Sequence, residues 1–312
     1  MKEKIVLGFY KYVKIENSEK FVKEHLKFCK SIGLFGKILV GKEGINGSVS
    51  GSREQIDSYR KELTRNNLFS DIEFKEEPSM DVPFDKMKVK VRDEIVTFGH
   101  PVNLENEGKH ISPEEFLSYY DENGKLKEED VIILDARNNY EYDVGRFKNA
   151  IHLDIEKFSD FPKSVEEKII NKKDKKVVMY CTGGIRCEKA SAFLKEKGFE
   201  NVYQLHNGII NFGQTFPDTV WEGKCFVFDK RLVAPLNKNE NEPLTKCKIC
   251  DSRCDFYRNC WNKDCDALFI SCVDCEKKMN GCCSEKCLEV FKEFCKEKSI
   301  KNFGRKTARL EV

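Results

Sequence analysis

At 312 residues and 40% hydrophobic content, the chain is too long for one ordinary domain and apolar enough for real cores, so two or three domains are expected. Charge is abundant at 35%, but 55 basic against 53 acidic residues leave a net of +2, so any nucleic-acid surface must be a local patch. No run of about 18 apolar residues occurs, which argues against a membrane span, and the mixed start with Lys11 and Lys14 lacks a secretory core, so a cytoplasmic location is expected.

In chain order, Ile5 to Val13 reads as a strand, and Ser18 reads as the cap of a helix with Phe21, Val22, His25, Leu26, Phe28 and Cys29 at three- and four-residue steps. Gly36 to Val40 is a second strand, and Gly44-Ile-Asn-Gly47 is a hairpin turn into Ser48-Val49-Ser50. Ser52 caps a second helix to about Arg65, and Ile72 to Phe74 supplies a last strand. This βαββαβ order predicts a ferredoxin-like (acylphosphatase-like) α+β domain over 1–76. Residues 77–110, with Pro78, Pro83 and Pro101 and a short strand-like Met87–Val91, read as a linker.

An α/β unit is expected over 111–222. Ser112-Pro113 opens a helix; Val131–Leu134 is an apolar strand ending at Asp135, Val177–Tyr180 one ending at Cys181, and Val202–Leu205 closes the series. A polar stretch, Asn237 to Thr245, leads into a cysteine-rich region, and 223–312 is expected to bind metal.

The stretch Tyr180-Cys-Thr-Gly-Gly-Ile-Arg-Cys187 carries the chemistry. Cys181 leaves a buried strand for a turn in which Gly183 and Gly184 permit a tight path, so that backbone N–H groups and a helix N-terminus point at the sulfur. Arg186 adds positive charge, and together these favour a thiolate. The bland alternative, a buried structural cysteine, does not account for strand, cysteine, glycines and arginine in this order. The Cys-x4-Arg spacing is one residue shorter than a cysteine phosphatase loop.

With Asp135-Ala-Arg137, Glu141-Tyr-Asp-Val-Gly145-Arg-Phe-Lys-Asn-Ala-Ile151 and His206-Asn-Gly208-Ile-Ile, this loop resembles the rhodanese family over roughly residues 110 to 220, which implies a rhodanese α/β domain with a thiol-chemistry scaffold. Three further stretches narrow the resemblance: Phe35 to Gly47, Cys181 to Ala190, and Gly281-Cys-Cys-Ser-Glu-Lys-Cys287. In that order they are similar to the tRNA uridine hydroxylase family, whose members make 5-hydroxyuridine at the wobble position with molecular oxygen as co-substrate. The resemblance implies Cys181 as catalytic cysteine, with Arg186 and Cys187 in the same loop, and Lys42, Asn46, Arg137, Thr182, Gly183 and Gly184 as substrate contacts.

Carbon 5 of uracil is unreactive until a nucleophile adds at C6, a task suited to a thiolate; Cys181 either does this or becomes a persulfide or sulfenate that handles oxygen. Cys187 is either a resolving thiol or a small buried residue. Two other classes compete: a sulfurtransferase passing persulfide sulfur from Cys181, and a non-catalytic RNA adaptor. Intact Cys181 and Arg186 oppose the adaptor, and the two flanking regions are superfluous for simple sulfur transfer.

The expected partner is the tRNA anticodon region, with no membrane and no obligate protein partner. Lys37, Lys42, Arg53, Arg60, Lys61 and Arg65 supply a candidate phosphate surface, diluted by Glu43, Glu54 and Asp57, against the reading of a solvated helix face. From Phe291 to Val312, seven basic and three acidic residues leave +4, which either embraces tRNA or is a soluble end.

Ten of the 15 cysteines fall between Cys247 and Cys287. Cys247-x2-Cys250 and Cys272-x2-Cys275 have zinc-knuckle spacing, and Cys260-x4-Cys265 and Cys283-x3-Cys287 add two more pairs, enough for one or two structural zinc ions. Cys254 and Cys282 are left over. An iron–sulfur cluster is the alternative, and disulfides suit the expected compartment poorly. Cys29, Cys225 and Cys295 read as core.

Overall fold

The computed structural model describes residues 4–239 and 242–297; the basic tail from Lys298 onward lies outside the described residues. Among these, no helix is long and apolar enough to cross a membrane.

The first unit runs β1 (Lys4–Tyr12), α1 (Ser18–Ser31), β2 (Phe35–Gly41), β3 (Gly44–Gly51), α2 (Arg53–Thr64), β4 (Phe74–Ser79) and β5 (Met87–Val91), in a sheet of order β4-β1-β3-β2-β5. It is the expected ferredoxin-like arrangement with a fifth strand parallel to β2. Side chains alternate across a strand. Ile5, Leu7 and Phe9 of β1, with Ile38, Val40, Ile45 and Val49, meet Ile56, Tyr59 and Leu63 of α2 in one core. Val6, Gly8 and Tyr10 therefore face the other side, which no helix of this unit covers.

Local details differ from expectation. Asn17, not Ser18, caps α1, its side chain accepting from the Lys20 amide at 2.9 Å. The hairpin turn is Lys42-Glu43, because Gly41 and Gly44 pair across the strands. Gly44 starts β3 at φ 149°, where a Cβ would sit 2.1 Å from the Lys11 carbonyl oxygen. The last strand starts at Phe74, and Ile72 is a core residue before it.

The second unit contains β6 (Lys109–Ile111), α3 (Pro113–Ser118), β7 (Val131–Asp135), α4 (Asn139–Val144), β8 (Gly145–Phe147), β9 (Ile151–His152), α5 (Phe161–Lys168), β10 (Lys176–Tyr180), α6 (Ile185–Glu196), β11 (Asn201–Leu205) and α7 (Gly208–Thr215). Its sheet has order β6-β11-β10-β7-β9 and is parallel throughout. Both faces are covered, as a parallel sheet requires. Ile132, Leu134, Val177 and Met179 pack with Phe161 and Phe193 on one face. Ile133, Val178 and Tyr180 pack with Phe116 and Phe212 on the other.

The chain continues through β12 (Trp221–Gly223), which pairs with β8, then the β13 (Cys225–Phe226) and β14 (Val233–Ala234) ribbon. The cysteine-rich end holds β15 (Tyr257–Asn259), β16 (Leu268–Ile270), α8 (Val273–Lys278) and α9 (Glu285–Glu297).

Reading 77–110 as a linker is corrected. β4 extends to Ser79 and β5 completes the first sheet, while Phe98 is fully buried against Phe158, Phe161 and Phe193 of the second unit. The prolines, in keeping with their missing N–H, fall at edges and outside the strands' paired centres. Lys189 of α6, 4% exposed, bonds Glu43 at 3.0 Å and Glu94 at 2.8 Å, so one lysine clamps the hairpin turn and this segment to the second unit. Buried ammonium of this kind needs its carboxylates.

Replacing Phe98 by Ala should destabilise the protein by about 3–5 kcal/mol, read as a lower urea midpoint. An unchanged midpoint would show that residues 92–108 are not part of the second core.

Candidate active site and metal centres

The strand–loop–helix from β10 to α6 builds the centre. Tyr180 ends the strand, its hydroxyl donating to Asp135 at 2.6 Å, and Cys181 follows with no exposed surface. Gly184 sits at φ 100°, where a Cβ would lie 2.7 Å from the Tyr10 hydroxyl. Gly208, at φ 65°, passes so close that a Cβ would be 2.3 Å from the Cys181 carbonyl oxygen. Only glycine permits both approaches.

The Gly184 amide donates to the Cys181 sulfur at 3.1 Å. Burial pushes this thiol up, but donation from Cys187, the Arg186 charge and the amides of Arg186 and Cys187 outweigh it and bring Cys181 down to about 5. Cys187 is driven the opposite way, first by burial and then by the neighbouring thiolate. It therefore keeps its proton and gives a hydrogen bond, and it is fully buried beneath the loop.

Arg186 is not a free cation. Its guanidinium forms a two-pronged pair with Glu141 at 2.6 and 2.7 Å and donates to Thr182 Oγ1 at 3.1 Å. Glu141, fully buried, also accepts from the Asn138 amide at 3.2 Å and so caps α4. Arg186 thus locks the loop to α4 as well as lowering the thiol.

A cleft of about 520 Å³ opens above Cys181, walled by the first sheet, the Cys181 loop, the segment after β13, and residues around Ile95, Tyr140 and Phe158. The uncovered face of the first sheet contributes Tyr10, Lys37, Asn46 and Lys75; the Cys181 loop contributes Thr182, Gly183 and Arg186; the turn after β13 contributes Phe228, Asp229 and Arg231. Tyr10 donates to Glu188 at 2.8 Å and Tyr12 to the Ile185 carbonyl at 3.2 Å, tying β1 to the start of α6. Lys75, only 9% exposed, lies 4.8 Å from the Tyr10 ring centre. It makes no ion pair among the described residues, and burial, opposed by Glu73 and the Cys181 thiolate, lowers it to about 8. Phe228 is 61% exposed, with the Arg186 guanidinium carbon 5.8 Å from its ring centre. Arg231 is held by Asp229 at 2.6 Å and Glu77 at 3.3 Å.

Of the expected substrate contacts, Asn46, Thr182 and Gly183 line the cleft. No atom lies within 4 Å of where a Cβ on Gly183 would be, so this glycine leaves space above the thiolate. Gly184 is packed under Tyr10. Lys42 is exposed on the hairpin turn and is not part of the cleft wall. Arg137 is a correction: it is fully buried, grips Asp135 at 2.7 Å and donates to the Glu141 and Gly145 carbonyl oxygens at 3.2 and 2.6 Å, so its donors are spent inside the fold. The α2 patch is also corrected. Arg53 and Arg60 pair with Glu76 at 2.9 and 2.8 Å, and Arg65 with Glu62 at 3.0 Å, on the helix side of the sheet, away from the cleft.

Sequence reasoning did not single out Tyr10, Lys75, Phe228 or Arg231. Phe228 and Arg231 lie in a turn after β13, where no periodicity marks which side chains face the cleft. The outward face of β1 and β4 held no signal either, because nothing local says what covers it.

All eight expected ligand cysteines gather into two groups: Cys247, Cys250, Cys272 and Cys275 in one, Cys260, Cys265, Cys283 and Cys287 in the other. Each takes alternate pairs along the chain. Four sulfurs about 2.3 Å from a tetrahedral ion stand about 3.8 Å apart. The Cys250–Cys272 and Cys265–Cys283 separations are 3.7 Å, and Cys283–Cys287 is 3.8 Å. Backbone amides of Cys275 and Cys283 point at the Cys272 and Cys260 sulfurs at 3.5 and 3.4 Å, which supports thiolates. Cys254 and Cys282 join neither group and are buried.

Comparison with known proteins matches a UPF0176 acylphosphatase-like domain over residues 4–95, a rhodanese-like domain over 118–215 and a rhodanase C-terminal domain over 222–288. The chain is 43% identical to a tRNA uridine(34) hydroxylase of Bacillus licheniformis, over 90% of this chain and 87% of the relative. It is 42% identical to one from Cytophaga hutchinsonii, over 92% and 90%, and 40% identical to one from Onion yellows phytoplasma, over 91% and 92%.

The site's electrostatics are directly measurable. The ultraviolet absorbance of the thiolate, taken as wild type minus Cys181→Ala, should titrate near 5: thiol below, thiolate above. A midpoint at about 8.5, that of an ordinary cysteine, would refute the arrangement of donors described above.

Proposed function

The chain belongs to the tRNA uridine(34) hydroxylase family and hydroxylates the wobble uridine of tRNA; from that premise we propose that the reaction takes place in the cleft above Cys181, with its thiolate as the nucleophile. The observation that carries this reading is a buried thiolate at about 5 under a cleft large enough for a pyrimidine base. An extruded base has an aromatic face to meet in Phe228, and stacking on such a ring is the usual way single-stranded bases are held.

In this reading Cys181 Sγ adds to C6 of uracil, and the C5=C6 electron pair moves toward O4 as an enolate. Lys75 supplies a donor for that oxygen, in a cleft whose low polarity strengthens the contact. A donor-only ammonium also favours a carbonyl at the 4-position over the amino group of cytosine. The enriched C5 then bonds to oxygen. When the C5 proton leaves, the C5=C6 bond re-forms and the C6–S bond breaks, restoring the thiolate. With molecular oxygen as co-substrate and 5-hydroxyuridine as product, the second oxygen atom leaves as water and requires two electrons and two protons from an external reductant. Cys187 serves as the proton-holding donor to Cys181, and Arg186 positions the loop through Glu141.

The two cysteine groups fit structural zinc. Sulfur separations near 3.7 Å suit a single ion in each, and thiolates bound to separate irons of a cluster would stand farther apart. With four protein ligands each, the ions have no open position and hold the fold without entering the reaction. A tRNA substrate and metal-grouped free thiols suit a cytoplasmic location.

Cys181→Ser should abolish 5-hydroxyuridine at position 34, by nucleoside mass spectrometry of tRNA from a deletion strain carrying the variant, and wild type should restore it. Undiminished product from the serine variant would overturn the assignment. Metal analysis should give two zinc ions per chain, falling to about one in Cys260→Ser, with stability lost by the several kcal/mol that a structural zinc supplies. Iron with inorganic sulfide in place of zinc would refute the structural-zinc reading.

A further inference from the structure

The open face of the first sheet does not stop at the cleft. Lys37 of β2 lines the cleft wall, and across the parallel ladder its register partner is Lys88 of β5, with Leu39 opposite Lys90. Met87 and Val89 turn into the core beneath α1, so Lys88 and Lys90 stand on the cleft side by strand alternation. Arg92 extends the line, its amide donating to the Val40 carbonyl at 2.9 Å.

These four cations differ from the three arginines of α2, and from Lys61 of that helix by facing the cleft side of the sheet. Among the described residues none of Lys37, Lys88, Lys90 and Arg92 forms an ion pair, whereas Arg53, Arg60 and Arg65 each have a carboxylate within 3.0 Å. Lys37 is held below its usual value, by partial burial and then by repulsion from Arg92, Lys88 and Lys90. In a chain of net charge +2, a cluster of like charges along β5 and its neighbour β2 is an arrangement that an anion would stabilise.

We propose that Lys37, Lys88, Lys90 and Arg92 form a phosphate track that holds the RNA strand flanking the wobble nucleotide and leads it into the cleft. The proposal rests on the reading that this nucleotide enters the cleft above Cys181. A line of charge suits a strand better than a compact anion does. Same-face residues of a strand stand roughly 6.6 Å apart, so successive cations meet successive phosphates of an extended backbone. Phosphate contacts position without reading sequence, which leaves selection of the base to the cleft.

The test uses the full chain and an anticodon stem-loop RNA, with binding measured across salt concentrations on a Cys181→Ser background and turnover measured on the active enzyme. Lys88→Gln with Lys90→Gln should weaken binding by about 10- to 100-fold and flatten the log–log salt dependence by about 1.4, two contacts at about 0.7 each for a single strand. On the active enzyme it should raise KM while kcat at saturating RNA stays within about two-fold. Lys61→Gln, on α2, should leave the affinity and salt slope unchanged. Unaltered affinity in the double variant, or a lost kcat with affinity intact, would overturn the track. Cys181→Ser that still hydroxylates would instead refute the cleft chemistry and leave the binding result standing, so the two failures are distinguishable. Equal weakening by Lys61→Gln would show a diffuse electrostatic effect and also overturn the proposal.

Discussion

A buried thiolate is the constraint on which the rest of the structure depends. Stripped of water, the Cys181 sulfur is stable as an anion only if the protein surrounds it with donors, and the loop from Thr182 to Cys187 supplies them. That loop can curl only because Gly184 takes a positive φ and Gly208 lets the next turn pass against the Cys181 carbonyl. Arg186 completes the ring of positive potential, but an unpaired guanidinium 5% exposed would itself be unstable. Glu141 answers it, and the same carboxylate caps α4. One charge requirement therefore propagates from the sulfur through Arg186 to an element 45 residues away in sequence.

The second dependency is a surface that must be covered. A ferredoxin-like sheet has helices on one face only, and here the other face closes over the rhodanese loop. The closure is specified by polar contacts, not by broad apolar packing: Tyr10 to Glu188, Tyr12 to Ile185, and Lys189 to Glu43 and Glu94. Such contacts set orientation while leaving a gap, and the gap is the cleft. An apolar interface would have filled it.

This also separates what was legible in the sequence from what was not. Periodic and apolar patterns marked the helices of the first unit and the central strands of both sheets, because each buries a face, and the Cys181 loop was readable because its glycines, strand and arginine are contiguous. The cysteine pairs were legible from their spacing, but which pairs share a group is decided by the tertiary fold. Arg137 illustrates a systematic difficulty: a motif arginine looks the same whether its guanidinium meets substrate or, as here, Asp135 and two carbonyls. Arg53 and Arg60 were misread for the converse reason, since Glu76 that neutralises them lies on β4. Met87–Val91 was taken for linker because a lone five-residue strand has no partner until β2 is beside it.

The cysteine-rich end acquires a reason from the same geometry. Phe228, Asp229 and Arg231 belong to the segment that leaves the second unit, and they form one wall of the cleft. A short ribbon, β13 with β14, is too small to hold that wall by its own hydrogen bonds. It is braced instead by Phe226 against Tyr257 and Tyr140, and Tyr257 lies on β15 beside the clustered cysteines. The two cysteine groups thus stand one layer of packed rings behind the turn that carries the exposed aromatic ring over Cys181. A rhodanese domain alone holds the sulfur; the flanking regions close the cleft above it.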